Sequence, residues 1–544
     1  MRIACIGAGP GGLMLALLLR RTGGHQVDVF ERSPRGATYG FGVVFSRLSL
    51  ARLRRAVPDV VASLLSEGAR WDDVEVRRAG HRARSSGHGY AAVERKTLLA
   101  TLARLAEEAG AVLHFDTEAD ADDLLGQYDV VVAGDGAGSR TRTVHADAFG
   151  AHVTTGGGRY AWFGVDRAFD AMTFLFADSA AGPLGAHVYP YAKDRSTFLV
   201  ELGEQTWRAA KLTDGHARGP GWNDRHAMEF CAAVFAEDLA GARLLGNGSR
   251  WLSFPRISTE RWSAGRLVGI GDAVHTAHFS VGSGTTMALE DAVELARRLS
   301  APGTDTEAAC AAYEAARRPA VEAVQQAAWA SVRMWEHPQD HQDLDAETLM
   351  LRLLSRTGQS PADLLLRLDP GLAHAAVRPL TALPDAPVPA LVRHGPCRRP
   401  GDALLVEAGG PLPPAGQSGP LLVEVPAADP AAAARCLEDL RAQRPGVSVG
   451  VLLRAPAPAE EPVSRAVEGL TGLARTVPLD IVAVAPGAGA PAANRAAQMA
   501  VTERVRAACP GRLTTAYVCD ERDLSQGWTH VQAGRADAVW TITA

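Results

Sequence analysis

Residues 2–13 of the chain read Arg2-Ile3-Ala4-Cys5-Ile6-Gly7-Ala8-Gly9-Pro10-Gly11-Gly12-Leu13, an apolar run that leads into a cluster of glycines. The short run Ile3–Ile6 is typical of a buried strand, residues 11–22 have a helical pattern, and Val27–Phe30 is predicted to be a second strand. A strand, a tight glycine turn, a helix and a second strand in this order predict a βαβ unit of a doubly wound α/β fold.

Each glycine of this turn has a physical role. Gly7 allows the tight turn, Gly9 lets the backbone approach a pyrophosphate, and Gly12 allows close packing of the helix on the strand. The N-terminus of the helix then faces the phosphates, and a carboxylate at the end of the second strand, Glu31, can bond ribose hydroxyls. We therefore predict a dinucleotide site for FAD or NAD, formed by Gly7, Gly9, Pro10, Gly11, Gly12, Glu31 and Arg32.

Two later segments combine glycine with an acidic residue. Asp135 lies in Gly134–Arg142, directly after the predicted strand Asp129–Ala133, although an ordinary turn at a strand end has the same pattern. Asp272 follows the predicted strand Leu267–Ile270, and its carboxylate can hold a ribityl hydroxyl. A helix start follows, where backbone N–H groups suit the electron-rich edge of a flavin. The predicted contacts there are Gly282, Ser283, Gly284 and Thr285.

The remaining chain divides into segments with different predicted structures. Between about residues 158 and 201, short alternating runs predict an antiparallel sheet with one buried face. A long helical stretch at about 306–336 is expected to break or bend at Pro319. Prolines crowd residues 376–420, which we interpret as a linker. After residue 421, strand and helix patterns alternate, as in a parallel sheet or part of a barrel.

Length and composition exclude several classes of protein. With 544 residues, two or three domains are expected. A net charge of −5 and 22% charged residues favour neither nucleic acid nor an anionic membrane as a partner. The seven cysteines are dispersed without C-x-x-C spacing, so no metal site is predicted and a cytoplasmic location is expected. The longest apolar stretch, Leu13–Leu19, is too short to span a bilayer.

The three glycine-and-acid motifs, in this order and at these separations, resemble the group A flavin monooxygenases, the class of p-hydroxybenzoate hydroxylase. Arg95 matches the arginine that those enzymes place near FAD. The resemblance covers about residues 1–375. It implies a discontinuous Rossmann-like FAD domain at about 1–150 and 260–375, and an antiparallel-sheet substrate domain at about 151–259. It also implies NAD(P)H as a transient co-substrate, and ring hydroxylation with O₂ through a flavin hydroperoxide.

Further segments narrow the resemblance to a subgroup that acts on aryl-CoA thioesters, the salicylyl-CoA 5-hydroxylase and 2-aminobenzoyl-CoA monooxygenase type. Phe41–Ser46 and Gly87–Tyr90 are two of these segments, and Phe279 stands where most group A enzymes have proline, as it does in the subgroup. Two departures concern charge: Arg47 replaces an acid, and Thr286 replaces a lysine. Both changes of charge concern the predicted thioester substrate more than the predicted flavin site.

The substrate is expected between the flavin edge and the antiparallel sheet. His278 is the candidate catalytic residue, able to orient or deprotonate a phenol, although backbone groups could equally satisfy it as a structural histidine. His275 is expected to be structural, and Glu290 and Asp291 are expected to be solvated helix charges. The candidate pocket residues, which could also be plain core, are Phe45, His88, Tyr90, Phe174, Tyr189 and Phe279.

The C-terminal part, residues 421–544, resembles a truncated old yellow enzyme barrel. Arg444–Val449, Glu503–Arg506 and Ala533–Ala538 carry this resemblance. The first half of such a barrel is not recognisable, and a parallel barrel needs all its strands to close and hold a cofactor. We therefore predict a partial barrel of βα repeats that does not bind FMN and serves stability or association.

Three hypotheses about function stay open at this point. The first is hydroxylation of a salicylyl-type or aminobenzoyl-type thioester, tethered to CoA or to a carrier protein. The second is a monooxygenase of a free aromatic acid or a natural-product intermediate. The third is a non-catalytic flavoprotein scaffold. A homodimer is possible under each of them.

Overall fold

The structure is a computed structural model. It describes residues 1–213, 222–303, 305–341, 344–357, 397–398, 404–406, 421–425, 433–443, 448–456, 460–487, 491–509, 513–520, 536 and 538–542. Contacts divide the chain into two units. The first unit contains Met1–Gly80, Ser86–Ala328 and Trp335–Gln339, and the second contains His81–Ser85, Trp329–Met334 and Asp340–Ala544.

The strands and helices alternate irregularly along the chain. The strands are β1 (Arg2–Ile6), β2 (Gln26–Phe30), β3 (Gly42–Ser46), β4 (Ala69–Trp71), β5 (Val74–Arg78), β6 (His81–Ser85), β7 (Tyr90–Glu94), β8 (Val112–His114), β9 (Val130–Ala133), β10 (Ala151–Thr155), β11 (Gly158–Val165), β12 (Met172–Ser179), β13 (Gly182–Pro190), β14 (Ser196–Gly203), β15 (Leu244–Leu245), β16 (Pro255–Thr259), β17 (Ser263–Ala264), β18 (Leu267–Gly269), β19 (Cys397–Arg398), β20 (Leu404–Val406), β21 (Leu421–Val425), β22 (Val449–Arg454), β23 (Ile481–Ala485), β24 (Thr514–Asp520) and β25 (Ala538–Ile542). The α-helices are α1 (Pro10–Gly23), α2 (Arg47–Ala56), α3 (Pro58–Ser66), α4 (Arg95–Glu108), α5 (Ala121–Leu125), α6 (Arg140–Val144), α7 (Ala146–Phe149), α8 (Glu204–Ala209), α9 (Arg225–Val234), α10 (Ala236–Leu239), α11 (Gly284–Leu299), α12 (Thr306–Glu336), α13 (Ala346–Leu354), α14 (Ala434–Gln443), α15 (Glu460–Thr476) and α16 (Pro491–Ala508). Short 3₁₀ helices cover Gly271–Ala273, Phe279–Val281 and Pro338–His341.

The first unit contains the predicted dinucleotide fold. Its sheet has the order β17-β18-β9-β1-β2-β8, and all neighbours are parallel except β17 and β18. Ile3 of the central strand pairs with Val27 on one side and Val130 on the other. The adjacent strands β1 and β9 are apolar and almost fully buried, as expected of a parallel sheet covered on both faces. The late strand β18 therefore completes a sheet that begins at residue 2.

The first unit also contains the predicted antiparallel sheet, with its strands in the order β15-β11-β14-β13-β12-β5; β5 pairs with β12 in parallel, and the other neighbours are antiparallel. Alternate residues of β11, Ala161, Phe163 and Val165, are buried in an apolar cluster on one face. Because neighbouring side chains of a strand point to opposite faces, Tyr160 and Trp162 belong to the other face. We call this second face the polar-aromatic face, and it takes part in the site described below.

Helix α12 is not broken at Pro319: it runs as one element from Thr306 to Glu336 with the proline inside it. The lost backbone bond of a proline is a local cost that tertiary packing can offset. In the part of the chain that the structure describes, no helix is both long enough and apolar enough to cross a membrane.

The second unit contains a parallel sheet of the order β19-β25-β24-β23-β22-β21-β20. Val451 and Leu453 belong to one buried cluster and Leu452 to another, so β22 is covered on both faces. From β20 to β25 each strand lies beside the next one along the chain, which is the order found in a barrel wall. Closure of a barrel, and the likeness to old yellow enzyme, stay predictions. Most of the linker 376–420, Arg444–Val447 and Gly534–Arg535 lie outside the described residues.

Candidate functional site

The first glycine turn is in direct contact with the second motif. Gly7 has φ +103°, and a Cβ atom on it would lie 2.4 Å from the carbonyl oxygen of Gly134. A Cβ atom on Gly12 would lie 2.2 Å from the carbonyl oxygen of Gly7. Gly9, by contrast, has no neighbouring atom within 4 Å of the position of a Cβ. The turn is therefore closed on its protein side and open above Gly9, where the helix N-terminus begins.

Glu31 closes the same turn from the end of β2. One carboxylate oxygen accepts a hydrogen bond from the backbone N–H of Ala8 at 3.0 Å, and the other accepts one from Ser33 at 2.8 Å. Glu31, Arg32, Gly9 and Asp135 all line one cleft, which has a volume of about 230 Å³. The structure thus brings the first two predicted motifs to one cavity.

The third motif lies against the other two. Helix α1 packs on α11, and a Cβ atom on Gly11 would lie 3.2 Å from the carbonyl oxygen of Ala288. The guanidinium of Arg142 donates to the carbonyl of Ala137 at 2.7 Å and to that of Ala273 at 3.0 Å. The second and third motifs are therefore held together by a buried arginine that the sequence analysis did not single out.

Asp272 lies deep in the unit, yet its side chain is exposed, as expected of a carboxylate that faces a cleft. Burial raises the pKa of its carboxyl, and the nearby charges of His275 and Arg95 oppose that effect. Burial also lowers the pKa of Arg95, which begins α4, while the charge of Asp272 opposes that shift. The two predicted residues Arg95 and Asp272 are thus close enough for their opposite charges to interact.

Several polar atoms around these motifs have no hydrogen-bond partner among the described residues. They are the buried Asp135 Oδ1, Ser283 Oγ and Thr286 Oγ1. A buried polar atom without a partner is costly, so such atoms indicate a polar ligand at the same place. Together with the open space above Gly9 and the helix start at Gly284, they fit FAD: pyrophosphate near Gly9, ribityl chain near Asp272, and flavin edge near Gly282–Thr285.

The polar-aromatic face of the antiparallel sheet carries a cluster of polar groups. The nearer carboxylate oxygen of Glu201 on β14 lies 2.6 Å from His187 Nε2 on β13, and its other oxygen lies 3.5 Å from His278 Nε2. All three side chains are buried. Phe279, next to His278, has its ring centroid 4.8 Å from that of Tyr160 and 6.1 Å from that of His187. The loop before the flavin turn therefore covers this cluster.

The predicted pocket residues fall into three places. Phe174 and Phe279 surround His187, and Phe174 stacks on Trp335 at a centroid distance of 5.8 Å. His88 and Tyr90 form a stacked row with Trp71 and Tyr189. Tyr189 donates its hydroxyl to the carbonyl of Gly42 at 2.9 Å. Phe45 is buried in the main hydrophobic core. Only the first pair lies beside the buried polar cluster.

The prediction that Asp291 is a solvated helix charge is wrong. Its side chain is fully buried, and one oxygen accepts a hydrogen bond from Gly271 N at 3.0 Å and lies 2.7 Å from His275 Nε2. The other oxygen accepts from Arg317 Nε at 2.8 Å. The spacing Met287, Asp291, Leu295 places Asp291 on the apolar stripe of α11, and this was the available signal. His275, expected to be structural, is buried against this carboxylate.

Sequence reasoning also missed His187, Glu201 and Trp335. The first two interrupt otherwise apolar strands, and a charged residue in a buried strand is itself a signal, because burial of an unpaired charge is costly. Which groups pair with them depends on strand register. Gly185 lies opposite Glu201 and His187 opposite Leu199, so the two polar side chains are diagonal neighbours on one face.

Burial, with a smaller contribution from the charge of Arg256, lowers the pKa of His278 from about 6.5 to about 3. The unfolded chain takes up a proton on this histidine below its ordinary pKa, whereas the folded protein does not. The free energy of unfolding should therefore fall as the pH drops below about 6.5, by at most about 1.4 kcal/mol per pH unit. Urea denaturation of the wild type and of His278→Asn should diverge: the stability of the wild type relative to the variant should be about 1 kcal/mol lower at pH 5.5 than at pH 7. An equal difference at both pH values would contradict a neutral, buried His278.

The parallel sheet with its glycine turn, the three neighbouring glycine-and-acid motifs and the antiparallel sheet of the same unit fit an FAD-dependent monooxygenase. A model of the FAD binding domain family matches residues 1–328 of this chain. The chain belongs to this family, and FAD as its cofactor is confirmed.

Two characterised relatives are similar in sequence. A salicyloyl-CoA 5-hydroxylase of a Streptomyces species is 43% identical over 339 residues, which cover 62% of this chain and 66% of that protein. This chain thus spans just under two thirds of that relative. A 3-hydroxy-4-methyl-anthranilyl-[aryl-carrier protein] 5-monooxygenase of Streptosporangium sibiricum is 41% identical over 360 residues, which cover 66% of this chain and 95% of that protein.

Solved structures share the fold at lower sequence identity. Pseudomonas aeruginosa PqsL, in complex with 2-aminobenzoylacetate, has a TM-score of 0.51 and 23% identity, over 62% of this chain and 97% of PqsL. A 2-methyl-3-hydroxypyridine-5-carboxylic acid oxygenase has a TM-score of 0.51 and 17% identity, over 68% of this chain and 98% of that chain. Both confirm the predicted fold class of the monooxygenase part.

Proposed function

We propose that this chain hydroxylates an electron-rich aromatic ring that is held as an aryl thioester, on CoA or on a carrier protein. In the balanced reaction, one atom of O₂ replaces a ring hydrogen as hydroxyl and the other leaves as water. NAD(P)H supplies two electrons and, with one further proton, completes the water. The proposal is carried by the contact of the loop His278–Val281, just before the flavin turn, with the polar-aromatic face of the antiparallel sheet.

FAD, when bound, takes electrons from NAD(P)H and activates O₂, which does not react readily with an aromatic ring. The residues of the chain hold the cofactor in place and exclude water from the site. Gly9 and the helix start would hold the pyrophosphate, Asp272 and Arg95 the ribityl region, and Gly282–Thr285 the edge of the ring system. The rings of Tyr160 and Phe279 pack together and exclude water from the space beside His278. A dry site strengthens each electrostatic contact in it.

The substrate class is inferred from three considerations. Two relatives that match most of the monooxygenase part act, by their names, on a salicyloyl-CoA and on an anthranilyl group bound to a carrier protein. Both substrates are aryl thioesters with a hydroxyl or amino group on the ring, and such a group activates the ring. His278 and Glu201 offer polar contacts for this substituent on an otherwise aromatic face. His278 is proposed to orient it.

A product assay tests this function. The purified protein, with FAD, NADH or NADPH, and ¹⁸O₂, is supplied with salicyl-CoA, 2-aminobenzoyl-CoA, the same groups on a phosphopantetheine-bearing carrier protein, and the free acids. We expect substrate-stimulated NAD(P)H oxidation and a product with one ¹⁸O atom for at least one thioester, and neither for the free acids. Labelled product from free acids alone would favour the second hypothesis. A flavin that NAD(P)H never reduces, with or without these compounds, would favour the scaffold.

A further inference from the structure

The carboxylate of Glu201 lies between two imidazoles that come from different parts of the chain. His187 is on the neighbouring strand, whereas His278 is in the loop before the flavin turn. Each imidazole faces a different carboxylate oxygen, at 2.6 Å for His187 and 3.5 Å for His278. Glu201 is 5% exposed, and His187 and His278 are nearly as buried. A carboxylate this deep is retained at an energetic cost, so its contacts require an explanation.

The hydrogen bonds of His278 determine which ring nitrogen carries the proton. Ser280 directs its backbone N–H to His278 Nδ1 at 3.3 Å, and its hydroxyl lies 3.0 Å from the same nitrogen. A backbone N–H can only donate, so Nδ1 is an acceptor without a proton. The lowered pKa keeps the ring neutral at ordinary pH, so the single proton is on Nε2. That N–H faces Glu201.

His278 is therefore not placed to act as a base, since Nδ1 accepts from Ser280 and Nε2, which lies 3.5 Å from Glu201 Oε2, carries the proton. This restricts the role of His278 to orientation. The ring of Phe279 lies 4.1 Å from that of His278, centroid to centroid, so the orientation of the imidazole is transmitted directly to the aromatic side chain that covers the cluster. Glu201, whose Oε2 lies 3.5 Å from Nε2, is the described carboxylate placed to influence the orientation of both rings.

We propose that Glu201 is a positioning residue, whose two carboxylate oxygens hold the Nε2 sides of His278 and His187 and thereby set the geometry in which the site receives the substituent of the aromatic ring. This inference rests on the proposed function for its role in catalysis. It adds that the tautomer of His278 is imposed from the sheet and not only by Ser280. A glutamine at position 201 has the same shape but only one oxygen, so it cannot accept from both imidazoles.

Nitrogen-15 NMR of histidine-labelled protein tests the first half of the proposal without any substrate. Protonated and unprotonated ring nitrogens differ widely in chemical shift, and His278→Asn assigns the signals. In the wild type, we expect His278 to show a protonated Nε2 and an unprotonated Nδ1. In Glu201→Gln, the Nε2 signal should shift or split, because the negative charge and one of the two side-chain oxygens beside the imidazoles are removed. Unchanged His278 signals in Glu201→Gln would overturn the proposal.

Kinetics test the second half. In Glu201→Gln, we expect kcat for product formation to fall about 10- to 100-fold, while KM changes by less than about threefold. Glu204→Gln is the matched control, because Glu204 lies at the adjoining helix start and pairs with exposed Arg208. FAD content and circular dichroism confirm that each variant is folded. Altered NMR signals with unchanged kcat would also overturn the proposal. If no compound of the panel is hydroxylated by the wild type, the proposed function fails, whereas the NMR comparison still decides whether Glu201 holds His278.

Discussion

Gly9→Val is expected to give a folded protein that no longer retains FAD. Gly9 has φ −74° and ψ 176°, a conformation that any residue adopts, and no atom lies within 4 Å of a Cβ placed on it. Valine therefore fits the protein, but its side chain enters the cleft where the pyrophosphate would lie. We expect the Kd for FAD to rise at least about 100-fold, a loss of about 2.7 kcal/mol.

Fluorescence titration of the apoprotein with FAD measures this loss. Gly157→Val is the matched control, since Gly157 also has open space at its Cβ and does not line the cleft. Gly7→Val gives the contrasting result: φ +103° and a contact of 2.4 Å with Gly134 predict that this variant folds poorly. Purification of Gly9→Val as a yellow protein with the wild-type affinity would refute the assignment of the pyrophosphate site.

Asp291→Asn should destabilise the first unit strongly. The carboxylate is fully buried and bonds His275, Arg317 and the backbone of Gly271. Removing its charge leaves Arg317 with Glu290 as its ion-pair partner among the described residues, and breaking a buried pair in this way costs about 3–5 kcal/mol. Urea denaturation at pH 7 measures the loss. Glu294→Gln, one turn away on the same helix and paired with Arg298 near the surface, should cost no more than about 1 kcal/mol.

The loss of stability in Asp291→Asn should depend on pH in a defined direction. Burial alone would raise the pKa of Asp291, but the charges and hydrogen bonds of His275 and Arg317 outweigh it and hold the pKa below its usual value. A carboxyl with a lowered pKa stabilises the fold above its ordinary pKa of about 3.9 and loses that contribution as the pH falls through the folded value. The stability gap between wild type and Asp291→Asn should therefore narrow below about pH 4. A gap that stays constant or widens there would contradict the ion pair.

Local backbone requirements explain what could be predicted from sequence. The turn at Gly7, the carboxylate after β2 and the helix start at Gly284 each depend on a few consecutive residues, so spacing was sufficient to find them. The contacts of Glu201 and Asp291 depend on register and on the packing of distant segments. His187 and Glu201 are 14 positions apart, and a shift of one residue in pairing would turn one of them to the opposite face.

The second unit illustrates the same limit. After residue 421, where an alternation of strands and helices is predicted, β21 and β23 form from short apolar runs. The neighbour of each strand follows from the alternation of strands and helices. Whether such a wall closes depends on how its first and last strands meet, which no local pattern encodes.

The hydrogen bonds that Arg142 donates to two loops have a practical consequence for exchange of the cofactor. Its guanidinium donates hydrogen bonds to the carbonyl oxygens of Ala137 and Ala273. The width of the groove between these two loops therefore does not depend on a bound cofactor. A preorganised groove spares an incoming molecule the entropy of ordering its walls. Removal of FAD and its replacement by flavin analogues should therefore be reversible. Spectroscopic titration can then follow how the bound flavin ring of this enzyme reacts.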